Sequence, residues 1–218
     1  LLNSYTDGVS KVVLAHGGLI ADFIGDAVFA IFGAPVPSDD HADRALACAR
    51  EIEVFAERFR AEHNARGVPI GITRVGVHSG EAVVGNLGSE QRFKYGAVGD
   101  AVNTASRIEG LNKLFGTRLL ATAETVGDAA DEGLRPLGRI VVKGRSEPIE
   151  VFEVLAGPRP AWLADYRAAY RALAAGDTEA ARRLLSAIAA TDDDGPTARL
   201  LAHLDGGGRD TRLVMTEK

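Results

Sequence analysis

Asp100, Asn103 and Arg107 stand three and four residues apart inside FKYGAVGDAVNTASRIEG, residues 93–110. On a helix that spacing puts all three on one face. An arginine fixed there could meet negative charge that develops during a reaction. A plainer reading is available for each residue taken alone. Asp100 is a helix cap, Asn103 a helix N-terminal residue and Arg107 a solvated helix charge. A second candidate is Asp26, in LIADFIGDAVFAIFGAP at residues 19–35. Two apolar runs around Gly25-Asp26 predict a tight β-hairpin with the carboxylate at its tip. Alone, Gly-Asp is also ordinary turn chemistry.

The elements that must position these residues can be read around them. LLNSYTDGVSKVVLAHGG has helical spacing from its first residue, without a cap, and stops at Gly17-Gly18, which suggests that an upstream segment has been cut away. SDDHADRALACAREIEVFAERFRAEHNARG predicts a long amphipathic helix capped by Ser38 or Asp39 and closing at Gly67. Its apolar face is Ala45, Ala49, Ile52, Phe55 and Phe59. Two strands are expected over 70–78 and 81–87, joined at Ser79-Gly80, then a helix over 100–114. A final hairpin is expected in LRPLGRIVVKGRSEPIEVFEVL, turning at Gly144-Arg145. The resulting order, ββαββαβαββ, implies an α+β sheet layered with helices, not a doubly wound parallel sheet.

Composition bounds the function. The 218 residues carry a net charge of −5, so the broad basic footprint of a nucleic-acid binder is missing and any anion must be held by local cations. The single cysteine, Cys48, rules out an internal disulfide and a cysteine-built zinc cage. No apolar run reaches the roughly 18 residues of a membrane span. The chain therefore reads as soluble and cytoplasmic, although a full-length protein could be membrane-anchored. After Gly157-Pro158 the composition turns Ala/Leu/Arg-rich. Residues 157–204 predict a helical hairpin plus one helix, similar to a single tetratricopeptide unit. Trp162, Tyr166, Tyr170 and Leu173 share one face, and Asp177 caps a second helix with Ala180, Leu184 and Ile188 inward. One such unit cannot bury its own face, so it should pack on the sheet domain or on a partner chain. Residues 205–218 are expected to be a frayed, disordered tail.

Four blocks in order, DFIGDAVFAIFGAP, RVGVHSGEAVVGNLGS, YGAVGDAVNTASRIEGLNK and VVKGRSEPIEVFEV, resemble the catalytic domain of class III adenylate/guanylate (nucleotidyl) cyclases of bacterial type. The resemblance covers residues 1–156. It implies a ferredoxin-like antiparallel sheet layered with helices, with the first strand of that fold missing ahead of residue 1 and a small all-α extension following. It implies conversion of GTP or ATP to a 3′,5′-cyclic nucleotide and pyrophosphate in signalling, in a homodimer with shared active sites. Two Mg²⁺ or Mn²⁺ ions would activate the ribose 3′-hydroxyl and clamp the triphosphate.

By the same resemblance Asp26 matches one of two metal-binding aspartates. The other belongs to the strand that would precede residue 1, which implies that this stretch alone is inactive. Asn103 matches the residue that orients the ribose and Arg107 the one that stabilises the pentavalent transition state. Lys143 matches the lysine that holds the terminal phosphates. Adenylyl members carry Lys and Asp or Thr at the positions of Asp22 and Gly96. A carboxylate pairs poorly with adenine N1 but can accept from guanine N1 and N2, so Asp22 and Gly96 favour guanylate over adenylate cyclase. Unpaired polar groups in such a site can cost about 10⁴-fold in discrimination. Asp22 could instead be only a strand-end residue in a divergent adenylate cyclase site. A catalytically silent cyclase-like dimerisation or regulatory domain is the alternative from another class.

Overall fold

A computed structural model describes residues 1–127, 133–141 and 147–214. The chain opens with helix α1 (Leu2–Ala15), whose buried Val9, Val12 and Val13 pack on Cys48, and which begins without a side-chain cap. A hairpin follows, β1 (Leu19–Ile24) and β2 (Ala27–Ile31). Helix α2 (His41–Asn64) buries Leu46, Cys48, Ala49 and Ala56. Its N-cap position is Asp40, not Ser38 or Asp39. The Asp40 carboxylate accepts from the Ser38 hydroxyl and from Arg44 Nε, at 2.9 Å, instead of from the helix backbone.

The middle of the chain departs from its expected form. Residues 70–78 and 81–87 do not make a hairpin. Only β3 (Val75–Val77) is a strand in the first stretch, and it runs parallel to β6 (Leu119–Thr122). β4 (Val83–Ser89) pairs instead with β5 (Arg92–Val98), in an unbroken antiparallel register from Val83 opposite Val98 to Ser89 opposite Arg92. The turn is therefore at Glu90-Gln91, and the seven residues before Gly99, which read as a glycine-broken loop, complete a strand. Helix α3 (Asp100–Phe115) starts at once after them, with Gly99 at the N-cap. Asp100 is thus the first helical residue and not the cap. Its charge still suits the positive end of the helix dipole.

The remaining strands, β7 (Leu134–Val141), β8 (Ile149–Val154) and β9 (Arg212–Val214), complete a five-stranded sheet of order β3-β6-β8-β7-β9, while β1-β2 and β4-β5 form separate two-stranded ribbons. β8 is antiparallel to both its neighbours, and the outer pairings β3-β6 and β7-β9 are parallel. The short helix α4 (Ala123–Val126) follows β6. The layered α+β class holds, in a mixed sheet. β9 corrects the expectation of a frayed tail, because residues 212–214 add a strand along β7 and bury Leu213 and Thr211. Residues 215–218 lie outside the described residues.

Helices α5 (Leu163–Ala174), α6 (Thr178–Ala189) and α7 (Gly195–Asp205) pack on the sheet domain. The largest core is common to both parts. It joins Ile108, Leu111 and Phe115 of α3 to Leu120, Leu137 and Val151 of the sheet and to Tyr166, Leu173, Leu185 and Leu200 of the three helices. Asp177 caps α6 as expected, accepting from Ala180 N–H at 2.9 Å. Ile188 of α6 is buried as expected, with Ala181 and Leu185 buried beside it in place of Ala180 and Leu184, of which Leu184 packs on the edge of the core. Among the described residues, no helix is long and apolar enough to cross a membrane.

Candidate active site

The β1–β2 hairpin turns at Gly25, whose φ of +65° is the left-handed conformation that glycine adopts without strain. Asp26 follows it, exposed at the tip. A carboxylate held clear of the sheet is a hard oxygen ligand suited to a divalent cation. Its charge is felt on α3. The Glu109 carboxyl lies above its ordinary value, first through desolvation, with Arg74 opposing the shift and Asp26 adding to it. Among the described residues, no group of three or more His, Cys, Asp or Glu is placed to hold a metal ion.

Asn103 and Arg107 lie one turn apart on α3, as the sequence spacing requires. Asn103 is exposed. Arg107 is not simply a solvated charge. Its Nη1 is buried and makes no hydrogen bond, and the nearest carboxylate, Asp100, stands 3.9 Å away. A buried guanidinium N–H without an acceptor is costly, and an incoming anionic oxygen would satisfy it. The opposite face of α3 fixes the geometry. Ile108, Leu111 and Phe115 are buried in the core, and Asn112 donates to the Val75 carbonyl at 2.9 Å while accepting from Thr117 Oγ1 at 2.9 Å.

Asp22 lies on β1 beside a register shift, and its carboxylate is engaged. Lys94 of β5 donates to Oδ2, and the Phe23 backbone N–H donates to Oδ1 at 3.0 Å. The Lys94 hydrogen bond holds the Asp22 carboxyl below the usual carboxylate range. Gly96 is buried on β5 opposite Gly85, and a Cβ at that position would meet only Leu87 Cδ1, at 3.4 Å. The structure thus brings Asp22 and Gly96 to one pair of ribbons, with α3 leaving directly from β5. Lys143 lies outside the described residues, as does the Gly144-Arg145 turn. Sequence reasoning missed Lys94 as the partner of Asp22. The signal was present, because strand periodicity places residue 94 on the same face as residue 96, but it is visible only once residues 92–98 are read as a strand.

Residues 1–155 match the family described as adenylate and guanylate cyclase catalytic domain, and the chain belongs to that family. It is 45% identical over 156 residues to adenylate cyclase 1 of Rhizobium meliloti, a match covering 71% of this chain and 24% of that protein. Among solved structures it is similar to the adenylyl cyclase CyaB of P. aeruginosa, with a TM-score of 0.65, 31% identity, and 72% and 82% of the two chains covered. It is also similar to the guanylyl cyclase Cya2, with a TM-score of 0.61, 34% identity, and 74% and 82% covered. The curated relatives are much longer, and this chain spans 24%, 32% and 27% of three of them.

Proposed function

We propose that this domain is a guanylate cyclase that converts GTP to 3′,5′-cyclic GMP and pyrophosphate as a homodimer. The observation that carries the reading is Arg107, with a buried guanidinium N–H that has no acceptor, on the helix face shared with Asn103. Asn103 orients the ribose so that its 3′-hydroxyl lies in line with the α-phosphorus. Arg107 donates to the α-phosphate oxygens as their charge grows in the pentavalent transition state. A donor preplaced where charge develops contributes about 3 kcal/mol to the barrier reduction. Lys143 holds the terminal phosphates as a point charge. Asp26 supplies a carboxylate to Mg²⁺ or Mn²⁺, with a second carboxylate from the strand that the family places ahead of these residues. Two such cations, when bound, ease deprotonation of the hydroxyl and offset the triphosphate charge. Turnover is to be measured on a chain that includes that strand.

Exposed apolar side chains support the homodimer. Phe23 and Ile24 on β1, Val83 and Val84 on β4, and Phe93 and Val98 on β5 all face solvent in the single chain. These are the ribbons that carry Asp22 and Gly96, with Asp26 at the hairpin tip, so a second copy packed on them would meet the candidate site. Guanine selectivity rests on Asp22 and Gly96, which lack the adenine-pairing groups. An adenylate cyclase is the second reading, favoured by the name of the Rhizobium meliloti relative. We assign the domain to the cytoplasm, where nucleoside triphosphates are held. Comparison of kcat/KM for GTP and ATP with Mn²⁺ decides between the readings. A GTP preference is expected, and an ATP preference would refute the base assignment.

A further inference from the structure

Asp22 is not a lone carboxylate. Lys94 reaches it from β5, two residues along the same face from Gly96. Gly96 has no side chain, and a Cβ there would have a single neighbour, so position 96 puts no side chain beside Lys94. Neither member of the pair is sealed from a ligand, since the Asp22 and Lys94 side chains are 34% and 55% exposed. Surface ion pairs of that exposure add little to stability, so the pair has scant value as a brace. Arg92, two residues further along this face, adds to the positive potential that Asp22 feels.

We propose that Lys94 is a base-reading residue, acting as one unit with Asp22 at the purine edge. The inference rests on the cyclase site described above. An ammonium has three N–H groups. One is spent on Asp22 and two remain for an acceptor on the base. Asp22 keeps lone pairs beyond those used by Lys94 and by the Phe23 N–H. The protein therefore offers a donor and an acceptor side by side, and a purine edge offers the complement. On guanine, O6 accepts from Lys94 while N1–H and N2–H donate to Asp22. Asp22 alone reads only donors, and with Lys94 the site also requires an adjacent acceptor.

The test is the GTP/ATP ratio of kcat/KM for the full-length chain and its Lys94→Ala, Lys94→Arg, Asp22→Ala and Asp22→Ala/Lys94→Ala variants. Competition of GTP and ATP for bound fluorescent nucleotide gives a readout independent of turnover, and thermal melts check folding. Lys94→Ala should lower the GTP/ATP ratio at least about 10-fold, the scale on which one mispaired base contact discriminates. Lys94→Arg should keep the ratio within about 3-fold, because the donor is retained. The double variant should be no less selective than the worse single one, since neighbouring groups acting as one unit are non-additive. An unchanged ratio in a folded Lys94→Ala variant overturns the proposal and leaves the cyclase reading intact. If the wild type prefers ATP and Lys94→Ala removes that preference, Lys94 keeps its role and the guanine assignment falls. A wild type that neither binds nor converts either nucleotide refutes the site reading and Lys94 with it.

Discussion

Arg135 on β7 is 3% exposed, and it joins the sheet to the helical extension. Its Nε donates to Glu153 of β8 at 2.6 Å, and its Nη1 donates to both carboxylate oxygens of Asp194, the N-cap of α7, at 2.8 Å. The guanidinium also lies 4.9 Å from the Trp162 ring centre and 5.0 Å from that of Tyr166. In Arg135→Met the carboxylates of Glu153 and Asp194 lose the cation between them. Breaking a buried pair in this way costs about 3–5 kcal/mol. For a chain of this size each kcal/mol lowers Tm by about 2–4 °C, so a fall of about 6–20 °C is expected. The pH dependence identifies the cause. Burial raises the Glu153 carboxyl above its ordinary 4.5, with Arg135 opposing and Asp194 reinforcing that shift. Without Arg135 it rises further. A carboxyl raised on folding contributes stability that is fully present below its unfolded pKa and is lost as pH rises through the folded value. The variant must therefore lose more at pH 7 than at pH 5. Urea unfolding followed by circular dichroism at the two pH values measures this, and Glu153→Gln added to Arg135→Met should recover part of the loss. A loss below about 1 kcal/mol, or one independent of pH, would refute the electrostatic account.

Three further outcomes are expected. In a chain that turns over nucleotide, Arg107→Ala should lower kcat by about 10²-fold with KM little changed, because its contact strengthens in the transition state; a rise confined to KM would remove that role. Mixing Asp26→Ala with Arg107→Ala should restore about a quarter of wild-type activity, since half of the dimers are mixed and one of their two sites has every wild-type group; a mixture that stays dead although heterodimers form would rule out shared sites. Burial, aided by Glu51, pushes the Cys48 thiol up to about 12, so a thiol reagent at pH 8 should label it only after denaturant unfolds the chain; rapid labelling of the folded protein would contradict its packing against α1.

Much of this was legible because it is written locally. Helices α1, α2, α3 and α5 to α7 follow from apolar spacing and stop signals, and the β1–β2 hairpin from two apolar runs around Gly25-Asp26. Asn103 and Arg107 share a face because a helix of any context would place them so. The errors fall where partners are distant or strands are weakly marked. β5 carries Gly96 and two basic residues and was hidden until its full register with β4 was seen. β9 has one buried apolar residue, Leu213, and exists because β7 offers an open edge. Arg135 reads as an ordinary strand residue, because its anionic partners lie 18 and 59 positions away in sequence. The Asp22–Lys94 pair spans 72 positions and was invisible for the same reason.

The helical extension bears on the site through α3. At its N-terminus α3 is continuous with β5, with Gly99 alone between them, so the ribbon that carries Lys94 and Gly96 also sets where Asn103 begins its turn. At its C-terminus α3 ends against α7. A Cβ at Gly195 would lie 2.0 Å from the Phe115 carbonyl oxygen, so the first residue of α7 is pressed on the last turn of α3. Asp194, the residue before it, is the carboxylate that Arg135 holds. A shift of the Arg135 network therefore moves the cap of α7, and α7 cannot move toward α3 without displacing the helix that carries Arg107. Interiors this closely packed transmit strain instead of absorbing it. The extension thus backs the helix that carries Arg107, with Gly195 held against the Phe115 carbonyl.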